Sequence, residues 1–238
     1  SLIVNGDLLI NSGGTFSPGA LSFVVAGNYT NNGTAQLQLC TMRMTQPTPA
    51  VQTSISGTLG IVRNLRIDNP SGVNLLSNMS ISASLSLMRG TFTNDTRLTL
   101  NNLNRGGGTQ LSSVTLTRQA GALASPYTLG SGASVSIVYS GSPTLITPDN
   151  ELPASKVLYA LSVNTPGGVA LGTDITLTSS NPLTLTDGVV TVASGKTIIC
   201  SDVEYMGTSG TSTSYINGGM ALVAGRIPVT KTFPLGSG

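Results

Sequence analysis

Short runs in which an apolar residue alternates with a small or polar one recur along the chain. Leu21, Phe23 and Val25 alternate, as do Leu37 and Leu39, Leu65 and Ile67, Leu85 and Leu87, Leu98 and Leu100, Val114 and Leu116, Val135 and Ile137, and Leu183 and Leu185. A period of two sends successive side chains to opposite faces of a strand. Each run lasts about four to six residues before Gly, Asn, Asp or Pro ends it, which is the length and punctuation of a β-strand. Helical periodicity is nearly absent, because Gly, Ser, Thr and Asn interrupt every candidate. The pattern predicts an all-β chain.

The runs are also organised into a repeat. LIVNGDLLINSGGTF begins at Leu2, MSISASLSLMRGTF at Met79 and ITLTSSNPLTLTDGVV at Ile175, and in each the alternating stretches run into a glycine. The second and third copies extend upstream, as LRIDNPSGVNL from Leu65 and LSVNTPGGVAL from Leu161. The offset is 96 residues between Leu65 and Leu161 and 98 between Leu85 and Leu183, so two residues were inserted between. Self-similarity of this kind marks a repeat architecture. The expected fold is a parallel β-helix, or β-solenoid, right-handed by the general crossover preference. With coils of roughly twenty-odd residues, it holds about ten coils. Small and β-branched apolar residues suit layers only ~4.8 Å thick. Glycines in NG, SGG and PGG supply the corners. Residues 1–238 are read as a single continuous solenoid segment of a larger chain. Irregular loops are expected near 45–54 and 142–156, which carry two and three prolines.

Composition narrows the class. Charged residues are 8% and aromatics 4%, with 29 glycines and neither His nor Trp. A mean hydropathy of +0.23 is too apolar for a typical disordered segment. No apolar run approaches the ~18 residues of a membrane helix, so no membrane span is expected in this segment. The net charge is +2 and the eleven basic residues are scattered, without a Lys/Arg run or interleaved aromatics. Nucleic acid is therefore not an expected partner. Cys40 and Cys200 sit in strand-like contexts, LQLCTM and TIICSD, 160 residues apart. In a solenoid they lie many coils apart and are expected to be unpaired, buried thiols.

Chemistry-bearing patterns are sparse. A glycoside hydrolase needs carboxylates about 5–10 Å apart. Asp202 and Glu204 alternate and read as a solvated strand face; Asp149 and Glu151 read as a polar loop tip, with weak calcium binding as the rival. The glycines near Gly106 lack the helix and lysine of a phosphate-binding loop. Thr91/Thr93, Thr115/Thr117, Thr176/Thr178 and Thr184/Thr186 read as solvent-facing strand positions. Asn28, Asn32, Asn78 and Asn94 match the glycosylation acceptor pattern, as chance allows in so Ser/Thr/Asn-rich a chain. No catalytic residue, cofactor or metal site is assigned, and the expectation is that the chain is not an enzyme.

LIVNGDLLINSGGTF, FVVAGNYTNNGTA, RNLRIDNPSGVNL and SYINGGM followed by KTFPLGSG resemble the repeats of very large Bacteroidetes surface proteins. The resemblance implies a parallel β-helix with a likeness to filamentous haemagglutinin-type adhesins. It further implies type IX secretion, a secreted or cell-surface location, and a part in gliding motility or surface attachment. The expected function is a structural and adhesive stalk segment. Its expected partners are neighbouring coils of the same polypeptide, with surface glycans or the secretion and motility machinery beyond them. The alternatives are a carbohydrate-active β-helix enzyme and a ligand-free structural element of an export or filament assembly. The strand-like start and end suggest coils that continue into neighbours and, when exposed, pair with other chains.

Overall fold

The computed structural model describes residues 1–102, 112–142, 144–201 and 211–223. Among the described residues there is no helix, and parallel strands stack into a β-solenoid of about ten turns. The chain forms two compact units, Ser1–Ser134 and Val135–Gly238.

In the first unit each coil crosses three faces. The first coil lays down Leu2–Val4, Leu8–Ile10 and Thr15–Phe16; the second lays Ser22–Val25, Tyr29–Asn31 and Thr34–Ala35 directly on them. The first face continues with Thr41–Thr45, Ile61–Asp68, Met79–Arg89 and Val114–Arg118. The second continues with Thr53–Gly57, Val73–Leu75, Thr91–Thr93 and Ala122–Leu123. Met79–Arg89 turns a corner, with a register shift between Ile81 and Ser84. Its first residues pair with Leu98–Leu100 on the third face and its later ones with Val114–Arg118 on the first.

Register turns alternation into columns. Phe23, Met42, Leu65, Leu85 and Leu116 lie over one another on the inward side of the first face, all essentially inaccessible. Each such side chain contributes about 1.5–3 kcal/mol relative to leaving it exposed. In the second unit, Val135–Ser140, Ala160–Asn164 and Leu183–Asp187 stack in the same way, with Ile137, Leu161 and Leu183 as the inward column. Val169–Leu171, Val190–Val192 and Ile216–Asn217 form its second face, and Val157–Leu158, Ile175–Leu177, Thr197–Ser201 and Gly219–Val223 its third.

The copies at Leu65 and Leu161 occupy equivalent places. Each leads from a first-face strand through a buried corner residue, Asn69 or Thr165, to a second-face strand. The Asn69 amide donates to the Val51 carbonyl at 3.0 Å and Thr53 Oγ1 at 3.2 Å, and accepts from the Ser71 amide at 3.0 Å. Thr165 Oγ1 donates to the Ser142 carbonyl at 2.7 Å and accepts from its N–H at 3.1 Å. One coil on, Gly90 and Gly188 stand on these corners. A Cβ on either would lie 1.9 Å from the carbonyl oxygen of Asn69 or Thr165. Both also have φ in the left-handed region, at 76° and 91°. The first copy is displaced by one face: Leu2–Val4 lies on the first face, whereas Met79–Ile81 and Ile175–Leu177 lie on third faces.

Two alternations do not survive. Leu21 is 59% exposed because it precedes its strand, and Leu39 is 42% exposed because residues 37–40 form a turn. Cys40, read as a strand residue, closes that turn, its N–H donating to the Leu37 carbonyl at 3.2 Å. The two Pro-bearing segments are loops: residues 46–52 hold no strand, and residues 144–156 hold only the isolated Ile146 bridge to Val169.

Gly90→Ala is expected to cost on the order of 3–4 kcal/mol, combining left-handed strain with a backbone clash. Gly132 has φ 70° but open space around a Cβ. Gly132→Ala should therefore cost only about 1–2 kcal/mol. Urea unfolding of the two variants measures the difference.

Candidate functional site

The acidic pairs part company in the fold. Asp202 and Glu204, and the Gly106 cluster, lie outside the described residues. Asp149 is exposed as expected, but Glu151 is buried and is no loop tip. The turn closed by the Leu152 N–H on the Asp149 carbonyl draws it inward, where Glu151 Oε2 accepts from the Asp149 N–H at 3.2 Å. Among the described residues no group of three His, Cys, Asp or Glu side chains is placed to hold a metal ion. The Thr pairs sit at outward, partly or fully exposed positions. Of the glycosylation-pattern asparagines, Asn94 is fully buried, donating to the Pro126 carbonyl at 3.0 Å and accepting from the Ser125 N–H at 3.1 Å. Asn28 accepts from the Ser54 N–H and Oγ, both at 2.9 Å. These two amides tie one coil to the next.

Three of the basic residues meet in space. On the outward side of the first face, Arg43 and Arg66 are direct register partners, and Asp68 pairs with Arg89 on the next strand. Three guanidinium groups converge on one carboxylate. Arg43 Nη2 donates to Asp68 Oδ2, Arg89 Nε donates to Oδ1 at 2.6 Å, and Arg89 Nη2 reaches the Asp68 carbonyl at 3.3 Å. Arg66 Nη2 stands 3.7 Å from Oδ2, an ion pair without a hydrogen bond. The arginine side chains are 39%, 41% and 54% exposed, while Asp68 beneath them is 7% exposed. Burial of the Asp68 carboxyl raises its pKa, but hydrogen bonds and charge from Arg89 and Arg43 outweigh that and hold it below the usual carboxylate range. The cluster carries a net charge of +2, from three arginines and one aspartate. The Nε groups of Arg43 and Arg66 are buried without hydrogen-bond partners.

A signal for this cluster was present. Arg43, Arg66 and Arg89 are spaced 23 residues apart, one coil per step. Residues 1–134 hold seven arginines, no lysine and three aspartates, so the net +2 of the chain conceals a basic first unit.

A second feature lies on the third face of the same unit. A groove of about 550 Å³ is lined by Asn78, Ser80, Thr96, Arg97, Thr99 and Asn101, among others. Asp95 and Thr96 hold φ of 43° and 63°, and Thr96 is a β-branched residue in the left-handed region. Arg97 Nη1 braces this turn, donating to Asp95 Oδ2 at 2.8 Å and the Leu75 carbonyl at 3.3 Å. Hydroxyls, amides and one guanidinium equip the groove for polar ligands.

The chain matches no family model, no curated protein and no solved structure. Its chemistry rests on the geometry above.

Both cysteines are free and buried. Burial pushes each thiol up to about 11. Cys40 Sγ donates to the Leu37 carbonyl at 3.2 Å.

Two outcomes follow from these environments. At pH 8 a disulfide-exchange reagent should label neither thiol in the folded protein and both in guanidinium; prompt labelling of the folded protein would place a thiol at the surface. Asp68→Asn should lower stability at pH 7 by about 2 kcal/mol, since it removes a paired buried charge. Because the folded pKa of Asp68 is depressed, its stabilisation is complete above the unfolded value of about 3.9 and is lost as pH falls through the folded one. Urea midpoints of wild type and Asp68→Asn should converge below about pH 4.

Proposed function

We propose that this chain is a structural and adhesive stalk segment of a large secreted bacterial cell-surface protein. The observation that carries this reading is the outward side of the stacked strands. It presents rows of Ser, Thr, Asn and Arg in register from coil to coil, over a ladder of parallel backbone bonds. Thr41, Asn64 and Ser84 are one such row, with Asn64 Nδ2 donating to Thr41 Oγ1 at 3.1 Å and Ser84 Oγ donating to Asn64 Oδ1 at 2.8 Å. A solenoid of this kind transmits load through many parallel hydrogen bonds. A repeated polar face engages other surfaces by many weak contacts, with strength from repetition. The repeat phrases favour a Bacteroidetes-type surface protein exported by type IX secretion, acting in attachment or gliding. Its nearest partners on this reading are further coils of the same polypeptide.

The test is a panel of labelled polysaccharides read beside release of reducing ends. Binding without release is the expected outcome. Release proportional to protein would make the chain a carbohydrate-active enzyme. Failure of correctly folded protein to bind any member would leave a ligand-free structural element.

A further inference from the structure

We propose that Arg43, Arg66 and Arg89 form a binding strip for acidic polysaccharide, taking carboxylate or sulfate groups carried on successive sugars. The inference deepens the adhesive reading and rests on it. Four observations support it.

The first is charge. Three guanidinium groups share Asp68 as their only ion-pair partner among the described residues, so the cluster is cationic and holds like charges together. An arriving anion relieves that repulsion. The second is availability. All three side chains are 39–54% exposed, but Arg43 and Arg89 hydrogen-bond Asp68 whereas Arg66 makes no hydrogen bond to it and stands 3.7 Å away. Its planar fork is the form of cation that matches carboxylate and sulfate oxygens in pairs.

The third is spacing. Arg43 and Arg66 face outward from adjacent strands in direct register. Their repeat is one coil, about 4.8 Å, close to the advance per sugar of an extended glycan. A chain lying along the stack would pass Arg43 and Arg66 about one sugar apart, with Arg89 offset to the row of Asp68 on the next coil. The Thr41–Asn64–Ser84 row runs parallel to it, placing hydroxyl and amide groups where sugar hydroxyls would pass. The fourth observation argues against nucleic acid. Within the same unit Phe23, Tyr29 and Phe92 are fully buried, so none of them offers a base-stacking platform beside the strip.

The test uses the whole chain with four probes: polygalacturonate, which carries carboxylates only, dextran sulfate, neutral dextran, and single-stranded DNA. Binding is measured at low and high salt for wild type, Arg66→Gln, Arg66→Lys and Lys196→Gln. Lys196 pairs with Asp174 in the other unit and controls for total charge. Melting curves and circular dichroism establish that each variant is folded. Arg66→Gln should weaken binding of at least one acidic polysaccharide about tenfold, the loss of one charge-assisted contact. Arg66→Lys, which keeps charge but not the fork, should fall between it and wild type and serves alone if the Gln variant fails to fold. Lys196→Gln should stay within about twofold of wild type. Whichever acidic probe binds identifies the group as carboxylate or sulfate. Equal losses in Arg66→Gln and Lys196→Gln, or tighter binding to DNA than to either acidic polysaccharide, would overturn the strip. If wild type binds an acidic probe and both Arg66 variants match it, the strip fails while adhesion stands. Binding of wild type to neutral dextran alone would also defeat the strip and leave adhesion standing; binding to no probe would defeat both.

Discussion

The close approach of one coil's backbone to the next is the constraint on which this structure depends. Parallel strands stack about 4.8 Å apart, and the corners must stack with them. At Asn69 and Thr165 the chain turns within a buried site, so polar groups there need partners inside the protein. The side chains supply them, and the next coil supplies a glycine because nothing larger clears the corner carbonyl. The buried amides of Asn69 and Asn94 serve the same end, capturing backbone groups of neighbouring coils. The buried Asn69 and Asn94, and the glycines Gly90 and Gly188, are thus requirements of stacking.

Once corners are fixed, register follows, and register decides what each side chain meets. Inward positions build apolar columns such as Phe23, Met42, Leu65, Leu85 and Leu116. Outward positions build polar rows by the same arithmetic. Like residues placed a coil apart become neighbours, whatever their distance along the chain. Asp68 illustrates the result: it occupies an outward position, yet two guanidinium groups from flanking strands cover it and keep it ionised.

Parity was legible in the sequence and coil phase was not. Leu65 and Ile67, Leu85 and Leu87, and Leu183 and Leu185 point inward as their alternation implies. Alternation does not say where a strand begins, and so Leu21 and Leu39, at strand margins and in a turn, misled. The 96-residue offset found two equivalent corners because both copies include the corner itself. The copy at Leu2 shares only strand and glycine phrases, which any face can carry, and it falls on a different face. Loop composition places Glu151 at an exposed tip, but one tight turn buries it. The arginine cluster escaped because coil steps are unequal. Leu65 pairs with Leu85 twenty residues on, and Leu85 pairs with Leu116 thirty-one on. The 23-residue spacing of Arg43, Arg66 and Arg89 becomes a position in space only once register is known.

Unequal coil steps also bear on how such a fold acquires function. A compact enzyme brings distant residues into a cleft, and its chemistry needs convergence from several directions. A stack of coils sets side chains side by side along one axis. What it makes cheaply is a row, and a row suits a ligand that is itself periodic. The Arg43–Arg66–Arg89 row departs from strict repetition in one respect, because register sets Arg66 beside Ser86 and moves Arg89 to the row of Asp68. That shift lets one carboxylate hydrogen-bond two of the cations and leaves the middle one, 3.7 Å away, without a hydrogen bond to it. A perfect arginine ladder would hold three unscreened charges a coil apart and destabilise the stack. One aspartate, offset by a single position, makes the row tolerable to the fold without neutralising it.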